Sequence, residues 1–164
     1  MFTDYQLAVI RDSLSEGMLD SYDLSASVEV DAFKVTVEQN PDECTTLSDY
    51  DCYGEVAYAR RFQSERPAGF DGAARKIHTR DATYWWQPPS YIKDDPLALS
   101  QTYVVTKDIL EYGFSAFTMR VMRKCECCGA YTEEAVSSVG GWEPMAQPTM
   151  NDVFDIVEYL IESL

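Results

Sequence analysis

Apolar residues in this chain recur with two different periods, and the order in which those periods alternate restricts the folds open to it. Leu7, Ile10 and Leu14 share one helical face. Thr3 and Gln6 form a capping box ahead of it, so a helix is expected over residues 4–16, with Gly17 as its stop. The period then drops to two. Val28 and Val30 alternate with polar neighbours, and Phe33, Val35 and Val37 do so one residue out of phase, which places a bulge or tight turn at Asp31-Ala32. The polar, unperiodic stretch from Asn40 to Tyr53 reads as an exposed loop, and Val56, Tyr58 and Phe62 suggest a further strand. Residues 74–87 read as two strands around a turn at Arg80-Asp81, ended by Pro88-Pro89.

Helical spacing returns after Asp95-Pro96, an N-cap followed by proline at the first helical position, and the face Thr102, Val105, Ile109, Tyr112 runs to Gly113. Phe117, Met119 and Val121 restore the strand period, with Arg120 and Lys124 on the opposite face. Residues 130–136 read as the returning arm of a hairpin and 137–148 as a connection rich in Gly and Pro. Val153, Val157, Leu160, Ile161 and Leu164 then give a closing helix over 151–164. Three helices among hairpin strands imply an α+β fold: an antiparallel sheet of about five to six strands with the helices on one face, in two layers. No repeat or linker divides the chain, so one domain spanning 1–164 is expected.

Charge narrows the function classes. The chain carries a formal net charge of −15, yet 46% of its residues are hydrophobic, which separates it from disordered acidic tails. Residues 1–55 hold 13 acids and 2 bases, residues 56–128 hold 8 acids and 11 bases, and residues 129–164 hold 7 acids and no base. Such a field repels nucleic acid and anionic lipid at long range and favours basic partners. Solubility alone also explains acidity in many small proteins. Carboxylates at Asp42, Glu43, Asp49, Asp51, Asp155, Glu158 and Glu162 are the candidate partner-binding face, and their regular charge would suit imitation of a DNA backbone.

No stretch has the length and apolarity of a membrane span, and Met1-Phe2-Thr3-Asp4 lacks the basic and apolar run of a secretion signal, so a soluble cytoplasmic protein with no membrane partner is expected. Five cysteines, two of them adjacent, suit reduced thiols or a metal better than a disulfide frame. Cys125 and Cys128 have the C-x-x-C spacing of a zinc knuckle, followed by Gly129 for the backbone reversal. A closed site needs about four ligands, for which Cys44 and Cys52 are the candidates and His78 a spare. Zinc is therefore the one candidate cofactor, set against idle thiols on an ordinary hairpin.

A central segment combines Arg60, Arg61, Arg75, Lys76 and Arg80 with Trp85 and Trp86, the mixture of cations and rings that single-stranded nucleic acid requires. The global charge argues against that ligand, and core packing of the tryptophans with arginine pairing is the plainer alternative. A nucleophile elbow, a Walker A loop, a dinucleotide fingerprint and an H-E-x-x-H motif are all missing, which leans against an enzyme. A carboxylate-dependent enzyme would show itself as a cleft holding two acids of separated pKa.

The last third resembles small uncharacterised proteins of tailed phages of actinobacteria. The likeness rests on Tyr112-Gly113-Phe114, the cysteine turn, Ser137-Ser138-Val139-Gly140-Gly141-Trp142-Glu143 and the closing helix, about 50 residues in all. It implies a small phage product made inside the host cell, where binding and inhibiting a host factor is a common task; the acidic charge adds the expectation that such a host protein presents a basic surface.

Overall fold

The structure is a computed structural model that describes residues 2–60, 62–144 and 148–164. It is α+β, with three helices and two antiparallel sheets. The helices are α1 (Asp4–Asp20), α2 (Pro96–Tyr112) and α3 (Met150–Glu162). The strands are β1 (Ala26–Val30), β2 (Phe33–Asp42), β3 (Glu55–Ala59), β4 (Arg75–His78), β5 (Thr83–Gln87), β6 (Phe114–Lys124) and β7 (Tyr131–Trp142). The chain divides into two compact units, Met1–Pro41 with Ser115–Gly141 and Met145–Leu164, and Asp42–Phe114 with Trp142–Pro144. A linker does not mark this division, because the chain leaves the first unit after β2 and re-enters it along β6.

The first unit holds the four-stranded sheet in the order β1-β2-β6-β7, with α1 packed on both β1 and α3. Period two decides which strand residues are buried: Val35, Val37, Phe117, Met119 and Val121 are sealed from solvent, as are Ile10, Leu14 and Met18 of α1 and Val153, Ile156, Val157 and Leu160 of α3. Asp31 and Ala32 form a two-residue turn, since Val30 pairs with Phe33. Asp31 takes φ 53° there, and its carboxylate accepts from the Gln6 side chain at 2.6 Å.

Helix α1 does not stop at Gly17 but continues one turn to Asp20. The glycine serves close approach instead: a Cβ at that position would lie 3.0 Å from the Ala26 Cβ of β1. Strand β7 likewise runs through Ser137–Trp142, which sequence composition had marked as a connection. Ser137 is buried and the Ser138 hydroxyl lies 3.1 Å from that of Thr118, while Gly141 accommodates φ 76° within the strand. Residues 145–147 of that expected connection lie outside the described residues.

The second unit is built on a three-stranded sheet ordered β3-β5-β4, so seven strands in two sheets replace the single sheet of five or six. These strands are only four or five residues long and pair among themselves, with β5 central. The two adjacent tryptophans of β5 project to opposite faces. Trp86 packs with Ile77, Ile92 and Leu99, and Trp85 with Ala59 and Ala74. Phe62, expected in a strand, lies beyond β3 and is 90% exposed. Asp95 caps α2, its carboxylate accepting from the N–H groups of Leu97 and Ala98 at 3.0 and 3.1 Å. Leu99, Thr106 and Ile109 are the buried residues of α2, whereas Tyr112 is exposed. Between β2 and β3 the expected open loop winds into two short 3-10 turns, Leu47–Asp49 and Asp51–Tyr53, and buries Tyr53 against Ile109 and Phe114.

Candidate functional site

Helical geometry sets the main acidic surface. On α1 the residues at 4, 8, 12, 16 and 20 are all exposed, and four of these five are Asp4, Asp12, Glu16 and Asp20. Spacing of four places them in a row along one side of the helix. On α3, packed against α1, Asp155 and Glu162 are exposed. None of these six takes part in an ion pair among the described residues. The one cation on the two helices is Arg11, whose guanidinium pairs with Glu158 at 3.2 Å and sits 5.4 Å from the Phe154 ring centre. Glu158 is therefore half-buried and neutralised rather than part of the free face. The α1 row, the densest acidic feature of this surface, was legible as a four-residue repeat of acids opposite the apolar face.

The remaining expected acidic residues belong to the second unit. Asp42 accepts from the Cys44 and Thr45 N–H groups at 3.0 and 3.2 Å, and Asp49 from the Thr46 N–H at 2.7 Å. Both fasten the backbone of their own turns, while Glu43 and Asp51 are exposed. Apart from Arg11, the first-unit bases lie on the sheet and are engaged there. Arg120 pairs with Glu133 at 2.8 Å and Arg123 with Glu134 at 3.4 Å, and Lys34 and Lys124 sit near the Tyr131 ring. The first unit holds 15 acids against 5 bases and the second 13 against 8, so negative charge concentrates where the helices are.

The basic-aromatic segment does not form a stacking surface. Trp86 is 0% and Trp85 7% exposed, and the Trp86 indole N–H donates to the Tyr53 carbonyl at 2.6 Å. Neither ring offers a face to a base. Lys76 sits 5.3 Å from the Trp85 ring centre, and Arg80 pairs with Asp81 at 3.3 Å. Arg60 and Arg75 are exposed, and Arg61 lies outside the described residues. His78 ends β4 with its Nδ1 3.0 Å from the Thr83 hydroxyl.

A cleft of about 840 Å³ lies within the second unit, lined among others by Tyr50, Asp51, Glu55, Phe70, Asp71 and Tyr91. Gly54 shapes it: at φ 81° a Cβ would clash with the Gln87 carbonyl oxygen, so only glycine lets the turn lie against that segment. The Ala73 N–H and then the Gln87 side chain hold the Asp71 carboxyl below its ordinary value, which makes it a poor proton donor.

The cysteine turn closes the β6–β7 hairpin. Cys125 N–H donates to Ala130 O and Gly129 N–H to Cys125 O, each at 2.8 Å, and Gly129 takes φ 73°. These bonds gather three sulfurs, not two. Cys125 and Cys127 Sγ lie 2.6 Å apart, and with Cys128 all three fall within 4.8 Å of one another, a group that could hold a metal ion. Hydrogen bonding from Cys127, and then from Cys128, pulls the Cys125 thiol down to about 7, and the same contact pushes Cys127 up. Sequence spacing had paired Cys125 with Cys128 and left Cys127 idle. Cys44 and Cys52 belong to the second unit, where both are exposed. No family model, no curated protein and no solved structure matches this chain.

Proposed function

We propose that this chain is a non-enzymatic interaction protein that docks the acidic outer surface of α1 and α3 on a basic protein surface. The observation that carries the reading is the row Asp4, Asp12, Glu16, Asp20 with Asp155 and Glu162, six exposed carboxylates without an ion pair among the described residues. Free charge at a rigid helix pair steers a complementary partner and fixes its register, whereas carboxylates spent on turns do neither. The phage resemblance supplies a setting, a cytoplasmic product that engages and inhibits a host factor.

Charge density bears on DNA mimicry. Carboxylates four residues apart on a helix are spaced by about 6 Å, against about 3.4 Å of axis per phosphate on a DNA strand. One helix row thus carries roughly half the linear charge of a strand. That favours a general basic protein surface over a close copy of the DNA backbone. The test compares retention of proteins from a bacterial lysate by the native chain and by the variant Asp4→Asn, Asp12→Asn, Glu16→Gln, Asp20→Asn, at low and high salt. Partners held at low salt by the native chain should be released at high salt and missed by the variant; equal retention by the two removes the face from the function.

A second reading concerns the cofactor, and the three gathered sulfurs favour it: zinc held at the β6–β7 hairpin, stiffening the turn. Elemental analysis of protein purified without chelator checks it, and a substoichiometric metal content that zinc addition does not raise would dispose of it.

A further inference from the structure

We infer that a metal ion held by Cys125, Cys127 and Cys128 keeps one coordination position open at the hairpin tip, and that this position takes a neutral donor from outside the chain, an imidazole above all. The inference rests on the zinc reading and goes further, since a closed structural ion would accept nothing. Ligand number is the first ground. Among the described residues the group holds three sulfurs, and no histidine, aspartate, glutamate or further cysteine joins them. Zinc is almost always four-coordinate, and three protein ligands plus an exchangeable fourth is the pattern of sites that accept ligands, not of sites that only staple a fold.

Placement is the second ground. Cys127 and Cys128 are exposed and Cys125 half-buried, so an ion at their meeting point faces solvent. The turn is also fixed before any ion arrives. Cys125 N–H bonds Ala130 O, Gly129 N–H bonds Cys125 O, and Lys124 N–H donates to Ala32 O in the β1–β2 turn at 2.7 Å, which pins the root of the hairpin to that turn. A turn held in this way brings three donors without folding further chain over the fourth position.

Electrostatics selects the donor. Three thiolates on a divalent ion leave it net negative, Glu126 lies between the ligands, and the chain as a whole carries −15. A fourth anion would add to that repulsion, whereas water or a neutral imidazole nitrogen would not. An imidazole outcompetes water as the better donor for zinc, so a histidine side chain presented by another molecule is the ligand this chemistry recognises.

Cobalt(II) in place of zinc makes the test spectroscopic. The full chain, kept free of oxygen, is loaded with cobalt and titrated with imidazole while the visible ligand-field bands are followed. One cobalt per chain is expected, with a saturable shift of the bands on imidazole addition, the same spectra from the Cys44→Ser, Cys52→Ser variant, and loss of the bands in Cys127→Ser. If cobalt binds but imidazole leaves the bands unmoved, or if the Cys44→Ser, Cys52→Ser variant alters them, the open position is refuted while the metal site stands. If no cobalt binds, the zinc reading falls and this inference with it.

Discussion

In the second unit Asp42, Asp49, Asp71 and Asp95 each accept a hydrogen bond from a backbone N–H within three residues, whereas in the first unit Asp4, Asp12, Glu16, Asp20, Asp155 and Glu162 stand on two helices without such a task. The cores differ in the same sense. Among the described residues, ten of the twelve largest fully buried side chains belong to the first unit and two, Trp86 and Ile77, to the second. Both units expose carboxylates without an ion pair among the described residues, but in the second these, Glu43, Asp51 and Glu55 among them, stand on separate turns and a strand, whereas in the first they line up along a helix.

The most forceful way to break this comparison is at Trp86. Truncation to alanine removes the largest buried ring of the second unit and its bond to Tyr53, and should cost about 3–5 kcal/mol. Hydrogen exchange should then show β3, β5 and β4 losing protection while the amides of β2 and β6 keep theirs. Equal loss in both sheets would mean that the two units do not differ in how they are held.

A smaller effect sharpens the carboxylate contrast directly. Asp95→Ala removes the α2 cap and should lower stability by about 1 kcal/mol, whereas Asp12→Ala on the α1 row should change it by no more than about 0.5 kcal/mol. Urea denaturation of the two variants measures both. Smaller still, Asp20 ends α1 where the helix dipole disfavours an anion, and Glu16 lies one turn before it. Asp20→Asn should therefore stabilise by about 0.3–0.5 kcal/mol at low salt, a gain that added salt diminishes. A destabilised Asp20→Asn would show that the row is bound into the fold after all.

The fold was legible wherever the apolar period was sustained. Val35 and Val37, Phe117 to Val121, and the α3 face declare their burial by spacing alone, and Asp95-Pro96 declares the α2 start. It was illegible where one residue type serves two ends. Gly17 reads as a helix stop from its conformational freedom, but it is small because Ala26 approaches it. Gly140-Gly141 reads as a connection yet continues β7. Trp85 and Trp86 read as a surface for bases because their basic neighbours are visible in the sequence, whereas which face of β5 each ring takes and what covers it is decided by the pairing with β3 and β4. At the candidate sites the limit was of the same kind. Asp42 and Asp20 are equal in sequence, and only the N–H groups around the first separate them. Cys127 acquires a role from the curl of the turn, which spacing does not encode.

Asp152 offers the finest test, because it is a carboxylate of the first unit that works in the manner of the second. It belongs to the α3 capping box: Asp152 N–H donates to the Thr149 hydroxyl, and its own carboxylate accepts from the Thr149 hydroxyl and N–H, both at 2.7 Å. The Thr149 side chain first and its backbone second hold the Asp152 carboxyl below the ordinary value of 3.8. A carboxyl depressed in the folded state contributes stability that is complete above its unfolded pKa and is lost as pH falls through the folded one. The thermal midpoints of the native chain and of Asp152→Ala should thus differ by a constant amount near neutrality and converge only below pH 3.8. Convergence well above that value would mean that the box is not what holds this carboxyl ionised, and Asp152 would rejoin the unspent acids of the helical face.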